Sequence, residues 1–243
     1  EVEAHPEEYF DRVVAIDLSK LEPHVVGPHS PDRARPISQL AAEVRDRSNG
    51  FVDDISTALI GSCTNSSYED MGRAADVAEQ AVAHGLKAAV PFMVTPGSEM
   101  IRATIERDGQ MASLKKINGT VLANACGPCI GQWQRAKEMV GSPNTIITSY
   151  NRNFPRRNDG QPSTMNFIGS PEIVTAFALA GKLAFNPLTD SLTGADGRPF
   201  KLRPPRPVPE VPAKNFDRGN PYYVPPPEDG SSIVLRVDPK SDR

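Results

Sequence analysis

Cys63, Cys126 and Cys129 are all the thiols this chain has, and each sits inside a short motif. Cys63 lies in Ile60-Gly61-Ser62-Cys63-Thr64-Asn65, and the other two form the C-x-x-C of Asn124-Ala125-Cys126-Gly127-Pro128-Cys129-Ile130-Gly131. Three thiolates can hold three corners of a cubane iron–sulfur cluster and leave the fourth iron open. An open iron is a Lewis acid toward a small oxygen ligand, whereas a fourth cysteine would close the cluster for electron transfer. Two other readings stand beside this one. Buried free cysteine is common and a single C-x-x-C is a weak signal. Zinc would want a fourth ligand, and the candidates His5, His24, His29 and His84 have no metal-motif spacing to a cysteine. Gly61, Gly127 and Gly131 bracket the thiols and would let backbone N–H groups approach sulfide. Helix N-termini following Cys63 and Cys129 would favour the negative charge of thiolate and cluster.

The second constellation is Asn151-Arg152-Asn153-Phe154-Pro155-Arg156-Arg157-Asn158-Asp159, with three arginines within six residues. A guanidinium makes bidentate charge-assisted bonds to carboxylates, although on composition alone a solvated basic loop accounts for the run. Pro96-Gly97-Ser98-Glu99 opens a helix and reads as a plain cap, with carboxylate binding at that N-terminus the alternative. Trp133 is expected to pack in the core near the cysteines. None of the histidines has a partner that would make it catalytic.

The elements that must position these groups are legible as apolar runs followed by amphipathic segments. Residues 55–60 read as a strand leading through the Cys63 turn into a helix over 68–84. Ser66 or Ser67 would be its N-cap, Glu69 and Asp70 fall in its first turn, and Gly85 stops it. A strand over 88–94 is weakened by Pro91, and a helix over 98–107 ends at Asp108-Gly109. A strand over 121–125 delivers the C-x-x-C turn, followed by a helix over 132–140. A strand over 145–150 runs into the arginine loop, and a helix over 172–180 is opened by Pro171 and closed by Gly181. Three strands thus end in loops that carry the reactive residues. In open α/β sheets ligands sit outside the carboxyl ends of the strands, which converges Cys63, Cys126, Cys129 and Arg152 on one edge.

Outside that span the pattern is looser. Residues 13–18 read as a short strand interrupted by Asp17, and 23–36 as an extended loop with four prolines. Eleven of the 24 prolines fall between Pro199 and Pro239, so this stretch reads as an extended linker with polyproline character, with one possible strand over 233–237. The expected organisation is the end of a preceding region with its approach loop over 1–50, an α/β iron–sulfur domain over 51–200, and a proline-rich linker over 201–243 toward an absent C-terminal domain. The 243 residues carry a formal net charge of −3, 38% hydrophobic and 23% charged residues. That balance gives no electrostatic reason to expect nucleic acid or an anionic membrane as partner. No run of about 18 apolar residues is present to span a bilayer, and the acidic first residues read as neither signal nor transit peptide. Three motif-spaced cysteines argue for reduced thiols over a disulfide framework.

At these residues a family resemblance enters. Ile60-Gly61-Ser62-Cys63-Thr64-Asn65-Ser66-Ser67-Tyr68-Glu69-Asp70-Met71 and Ala123-Asn124-Ala125-Cys126-Gly127-Pro128-Cys129-Ile130-Gly131 resemble the two cluster-binding signatures of the aconitase family, and their separation fits. Thr148-Ser149-Tyr150-Asn151-Arg152-Asn153-Phe154, followed by Arg157-Asn158-Asp159, resembles its substrate-arginine loop. The continuation Ser66-Ser67-Tyr68-Glu69-Asp70 is closer to the mitochondrial type than to the isopropylmalate or homoaconitate isomerases. The resemblance implies an open, mostly parallel α/β sheet flanked by helices, like the family's third domain. It implies a [4Fe–4S] cluster on Cys63, Cys126 and Cys129, and a hydro-lyase that isomerises citrate and isocitrate through cis-aconitate in the mitochondrial matrix.

By the same resemblance Arg152 and Arg157 would bind substrate carboxylates and Asn151 would lie beside the cluster. Arg156 departs from the pattern, since the family usually places glycine there; an arginine either points to solvent or crowds the substrate loop. No residue matches the family's acid–base groups. A base is therefore expected from the remaining aconitase domains, and this chain alone is expected to hold a cluster yet turn over citrate negligibly. Two alternatives stay open: a non-catalytic iron–sulfur or iron-sensing binding module, and a related hydroxy-acid isomerase of homoaconitate or isopropylmalate type.

Overall fold

The computed structural model of the protein describes residues 2–47, 49–135, 140–219, 225–232, 234 and 240. Its centre is a seven-stranded sheet in the order β2-β1-β7-β6-β3-β4-β5. The strands are β1 (His24–Val26), β2 (Ala34–Pro36), β3 (Ile55–Ile60), β4 (Phe92–Val94), β5 (Gly119–Val121), β6 (Asn144–Thr148) and β7 (Thr164–Ile168). Strands β7, β6, β3, β4 and β5 are mutually parallel, and β1 and β2 add an antiparallel hairpin on the β7 edge. The fold is thus the expected α/β class with a mostly parallel sheet. From β3 the chain builds outward to β4 and β5, then returns to lay β6 against the other side of β3. That reversal between β3 and β6 is the topological switch point, where an open parallel sheet leaves a crevice at its carboxyl edge.

The helices that cover the sheet follow from their sequences. Helix α2 (Tyr68–Ala83) starts at a capping box in which Ser67 accepts from the Asp70 amide and Asp70 accepts from the Ser67 amide. Its alanine-rich buried face (Ala74, Ala75, Ala78, Ala81) packs against α5 (Pro171–Ala180) and α4 (Gln110–Lys116). Helix α3 (Glu99–Arg107) is capped by Ser98, which accepts from the Ile101 amide, so the Pro96-Gly97-Ser98 turn includes a plain cap. Helix α5 carries Pro171 in its first turn and ends on Gly181 at φ 69°, as the sequence predicts. Phe92, Phe167, Phe177, Ile60, Met71 and Leu114 are among the fully buried side chains of the core.

Several expectations are corrected. Residues 12–17 form no strand, and Val13, Val14, Ile16 and Leu18 are 50–76% exposed, because no neighbouring strand among the described residues offers them a ladder. The stretch 23–36 is not a loop but the β1–β2 hairpin, followed by α1 (Ile37–Asp46), which packs on it. Residues 24–46 thus belong to the same sheet assembly as β3 to β7, and the domain begins before residue 51. Strand β4 keeps only the last three residues of the run over 88–94; Pro91 contributes its carbonyl to the Ala58 amide, having no N–H of its own to give. Strand β5 ends where a strand over 121–125 was expected to begin, leaving 122–126 irregular. Residues 132–135 are not helical, and 136–139 of the helix expected over 132–140 lie outside the described residues. The strand expected over 233–237 also lies almost wholly outside them.

The proline-rich stretch is irregular over residues 201–219, as its composition requires, but it is docked and not free. Val208 lies on α2 at Gly72, where a Cβ would come within 2.6 Å of it. The Arg203 amide donates to Gln80 Oε1 at 2.8 Å, and Gln80 Nε2 donates to the Arg203 carbonyl at 3.1 Å. Arg206 pairs with Asp76 and, at 2.8 Å, with Glu79. Further on, Phe216 meets Tyr68 edge-on and the Asp217 amide donates to Thr104 Oγ1 at 2.9 Å.

Burial alone would raise the Asp76 carboxyl, yet the Arg206 guanidinium, Gln80 and the Arg206 amide together hold it below the ordinary carboxylate range. With the folded value below an unfolded one of about 3.9, this tie is fully present above about pH 4 and is lost as pH falls through the folded value. Asp76→Asn at neutral pH is therefore expected to speed hydrogen exchange over residues 203–208 by about threefold to tenfold, the equivalent of about 1 kcal/mol. Acidification of the native chain below about pH 4 should reproduce the effect. Unchanged exchange in the variant would show that Asp76 does not hold the strap.

Candidate functional site

The crevice predicted by the sheet reversal is present and is lined by all three thiols. A small cavity of about 60 Å³ is bounded by Gly61, Ser62 and Cys63 after β3, by Thr95, Pro96 and Gly97 after β4, by Asn124, Ala125, Cys126 and Cys129 beyond β5, and by Tyr150 after β6. Cys63 and Cys126 are exposed, Cys129 is half-buried, and none is in a disulfide. A larger, open hollow of about 540 Å³ lies elsewhere, beside Arg45, Lys182 and Asp190. Its charged groups already pair with one another, Arg45 with Asp190 at 2.7 Å and Lys182 with Asp53 at 3.8 Å, and its lining contains no thiol.

The Cys63 turn is held by its neighbours on both sides. Gly61 has φ 87°, and a Cβ there would fall 1.8 Å from the Thr95 carbonyl oxygen, so only glycine fits. Its N–H donates to Ser149 Oγ at 2.8 Å, and Asn65 Nδ2 donates to the Ser149 carbonyl at 2.6 Å. Ser62 Oγ accepts from the Thr64 and Asn65 amides at 3.1 and 3.2 Å, a local turn of the kind serine forms readily. The N-terminus of α2 comes directly after it, as anticipated for Cys63.

The C-x-x-C forms a 3-10 turn over Gly127–Ile130, closed by the Cys129 amide donating to the Cys126 carbonyl at 2.7 Å, with Gly131 at φ 87°. The helix expected to begin after Cys129 does not: residues 132–135 are irregular, so no helix dipole acts there within the described residues. Trp133 is half-buried, with the Arg135 guanidinium 4.9 Å above its ring; it is not core as expected.

The arginine loop closes over the thiols. Asn151 Nδ2 donates to Thr64 Oγ1 at 3.2 Å while its Oδ1 lies 4.0 Å from Cys129 Sγ, so this side chain bridges the two cysteine loops. Arg157 Nη2 is 3.8 Å from Cys129 Sγ; the guanidinium lies over Phe154, and its Nε is buried with no partner among the described residues. Asn158 Nδ2 donates to the Pro128 carbonyl at 3.0 Å, fixing the middle of the C-x-x-C turn. Arg152 is exposed and has no side-chain partner among the described residues. Arg156 is exposed, so it points to solvent and does not crowd the loop, but it sits at φ 66°. Ser149, Tyr150 and Asn158 are site-building residues whose roles the sequence reading left unassigned; the signal was their place at the end of a strand and beside the arginines.

The electrostatics follow from burial. Burial pushes the Cys129 thiol up, and Arg157 offsets part of that rise. Burial also pushes the Tyr150 phenol up, with the neighbouring Cys129 adding to it. Among the described residues no group of three His, Cys, Asp or Glu side chains is arranged to hold a metal ion. The three thiols border the cleft from two loops, Cys63 after β3 and Cys126 with Cys129 in the C-x-x-C turn.

The φ of Arg156 generates a test. A non-glycine residue in the left-handed region costs about 1–2 kcal/mol, and glycine adds about 0.4–1 kcal/mol of unfolded-chain entropy. Arg156→Gly should therefore leave stability unchanged or raise it by up to about 1 kcal/mol in urea unfolding. A clear loss of stability would mean that the Arg156 side chain carries a contact of its own.

The family model described as aconitase family (aconitate hydratase) matches residues 1–181. A protein named mitochondrial aconitate hydratase from Gracilaria gracilis is 54% identical over 234 residues, covering 96% of this chain and 30% of its own length. The protein of that name from Saccharomyces cerevisiae is 55% identical over the same shares, and a probable one from Dictyostelium discoideum is 52% identical over 240 residues, covering 99% of this chain and 31% of its own length. A solved aconitase X from Thermococcus kodakaraensis is 22% identical with a TM-score of 0.30, covering 45% of this chain and 26% of that one, a likeness too slight to bear on the fold. The chain spans about 30% of the length of the curated relatives it matches. With well over half of its residues matched by the family model and about half identical to those relatives, the chain belongs to the aconitase family.

Proposed function

We propose that this chain is the cluster-bearing portion of an aconitate hydratase, a hydro-lyase that interconverts citrate and isocitrate through cis-aconitate. The observation that carries this reading is the placement of Cys63, Cys126 and Cys129 around one small cleft at the sheet's switch point, with Asn151 and Arg157 beside Cys129. The donor set fits a [4Fe–4S] group: three thiols from two loops bordering one cleft, and no fourth cysteine in the given sequence to complete its coordination. When bound, such a cluster would supply an open Lewis-acidic iron for a hydroxyl and carboxylate oxygen of the substrate.

The chain's own residues would do the rest. Arg157, held 3.8 Å from Cys129 Sγ, places a permanent positive charge beside the thiolate and retains an unused buried Nε. Arg152, two residues after Tyr150, exposed and unpaired among the described residues, is free to receive a carboxylate of a tricarboxylate. Asn151 would orient the two cysteine loops toward each other. No histidine or carboxylate lines the cleft among the described residues, so the base that removes the carbon-bound proton is assigned to the remainder of the longer relatives. The compartment in the relatives' names, the mitochondrion, is carried over to this chain on the same ground.

Anaerobic incubation of the chain with iron and sulfide is expected to give broad visible absorption and about four irons per chain. A Cys63→Ser control should lose both. The loaded chain alone should hydrate cis-aconitate negligibly and gain activity only when the complementary domains of a relative are added. Zinc uptake without sulfide, or no metal at all, would overturn the cluster; clear hydratase activity of the chain by itself would overturn the assignment of the base.

A further inference from the structure

One polar group in the cleft is used by none of the roles above. Tyr150 is the second residue after β6, is only 3% exposed, and lines the cavity together with all three cysteines. Its hydroxyl has no hydrogen-bond partner among the described residues. The hydroxyl is not wholly withdrawn from solvent, and the cavity that the residue lines is where a bound group could take the place of water as its acceptor. The cavity that Tyr150 lines is bordered by Cys63, Cys126 and Cys129.

We infer that the Tyr150 hydroxyl donates a hydrogen bond to a sulfur of the group held in this cleft, making it a positioning residue that tunes the group's potential and shields it from oxidant. The inference rests on the cluster reading and adds to it a residue that ligates nothing. Hydrogen bonds to sulfur withdraw electron density and make a cluster easier to reduce, so loss of the donor moves the potential down. Tyrosine suits the place because its ring can fill buried volume while its O–H remains a donor toward the thiol-bordered cavity. Phenylalanine keeps the first property and removes the second.

The test compares the full native chain with Tyr150→Phe, both reconstituted anaerobically with iron and sulfide and both checked by thermal melting. In resonance Raman spectra the iron–sulfur stretching bands of the native chain should shift when water is exchanged for D2O, and part of that shift should vanish in the variant. The reduction midpoint of the variant should be more negative, and its visible absorption should bleach faster in air. Identical deuterium shifts and midpoints in the two chains would overturn the inference and leave the cluster reading intact, the phenol then being satisfied by water. A native chain that takes up no iron–sulfur group overturns both. Should the phenylalanine chain fail to load, 3-fluorotyrosine at position 150 decides: a stronger O–H donor must move the midpoint upward, and an unmoved midpoint rejects the role.

Discussion

The approach of Gly61 to the Thr95 carbonyl and to Ser149 is the constraint on which the site depends. Gly61 leaves β3 in a left-handed conformation with no room for a Cβ, and its amide is bonded across to the first residue after β6. A parallel sheet fixes the strands about 4.8 Å apart, but it does not decide where the loops beyond them go. Here the backbone of three consecutive sheet neighbours, β4, β3 and β6, is drawn together at one point by a glycine with no alternative residue. Cys63, Pro96-Gly97 and Tyr150-Asn151 are then obliged to share a cleft, whatever their own preferences. Gly97 repeats the device one strand over, where a Cβ would come within 2.0 Å of Ser66 Oγ.

The C-x-x-C turn is held differently. It has a 3-10 turn and little regular structure of its own, so its position is set by the arginine loop through Asn158 on Pro128 and by Arg157 beside Cys129. Both loops converge again below, where Arg135 and Asp159, with side chains 6% and 2% exposed, form a buried ion pair. An isolated buried pair is a poor source of stability because both charges lose their hydration. This one is embedded: Arg135 also donates to Ser56 and Asn144, and Asp159 accepts from Thr164 and the Gln161 amide. Its consequence is register, since shifting either loop would strand a buried charge.

Local chemistry in the sequence was enough for the elements with strong punctuation. The strand over 55–60, the capped helix after it, and the Pro171-to-Gly181 helix are found with the expected ends, because caps, apolar runs and terminal glycines act over a few residues. The same holds for convergence of the thiols, which needed only the rule that parallel strands deliver their loops to one edge. The features that were not legible depend on partners far along the chain. The β1–β2 hairpin was hidden by its prolines, which sit at strand ends and in the turn where no ladder N–H is missed. Strand β7, with Asn166 in its middle, is stabilised by position: it is buried between β6 and β1, and Asn166 Oδ1 accepts from Thr148 Oγ1 at 3.0 Å. The alternation over 13–18 was misleading for the converse reason, since apolar alternation makes a strand only where another strand is waiting.

The proline-rich segment makes the same point about context from the opposite direction. Its composition excludes regular structure, and over 201–219 it has none, yet it is fixed along α2 and α3 by contacts at Gly72, Gln80, Asp76 and Thr104. The last of these contacts brings Gly219 against the first turn of α3, where a Cβ would lie 2.7 Å from Glu99 Cγ. Glu99 in turn accepts from Asn124 Nδ2 at 3.1 Å, and Asn124 stands two residues before Cys126. One carboxylate therefore touches both the strap and the approach to the C-x-x-C turn. Proline makes the strap stiff, so a displacement at one end is not absorbed along its length as it would be in a glycine–serine linker. A segment that composition alone marks as a spacer is, in this fold, packed within two side chains of the thiols.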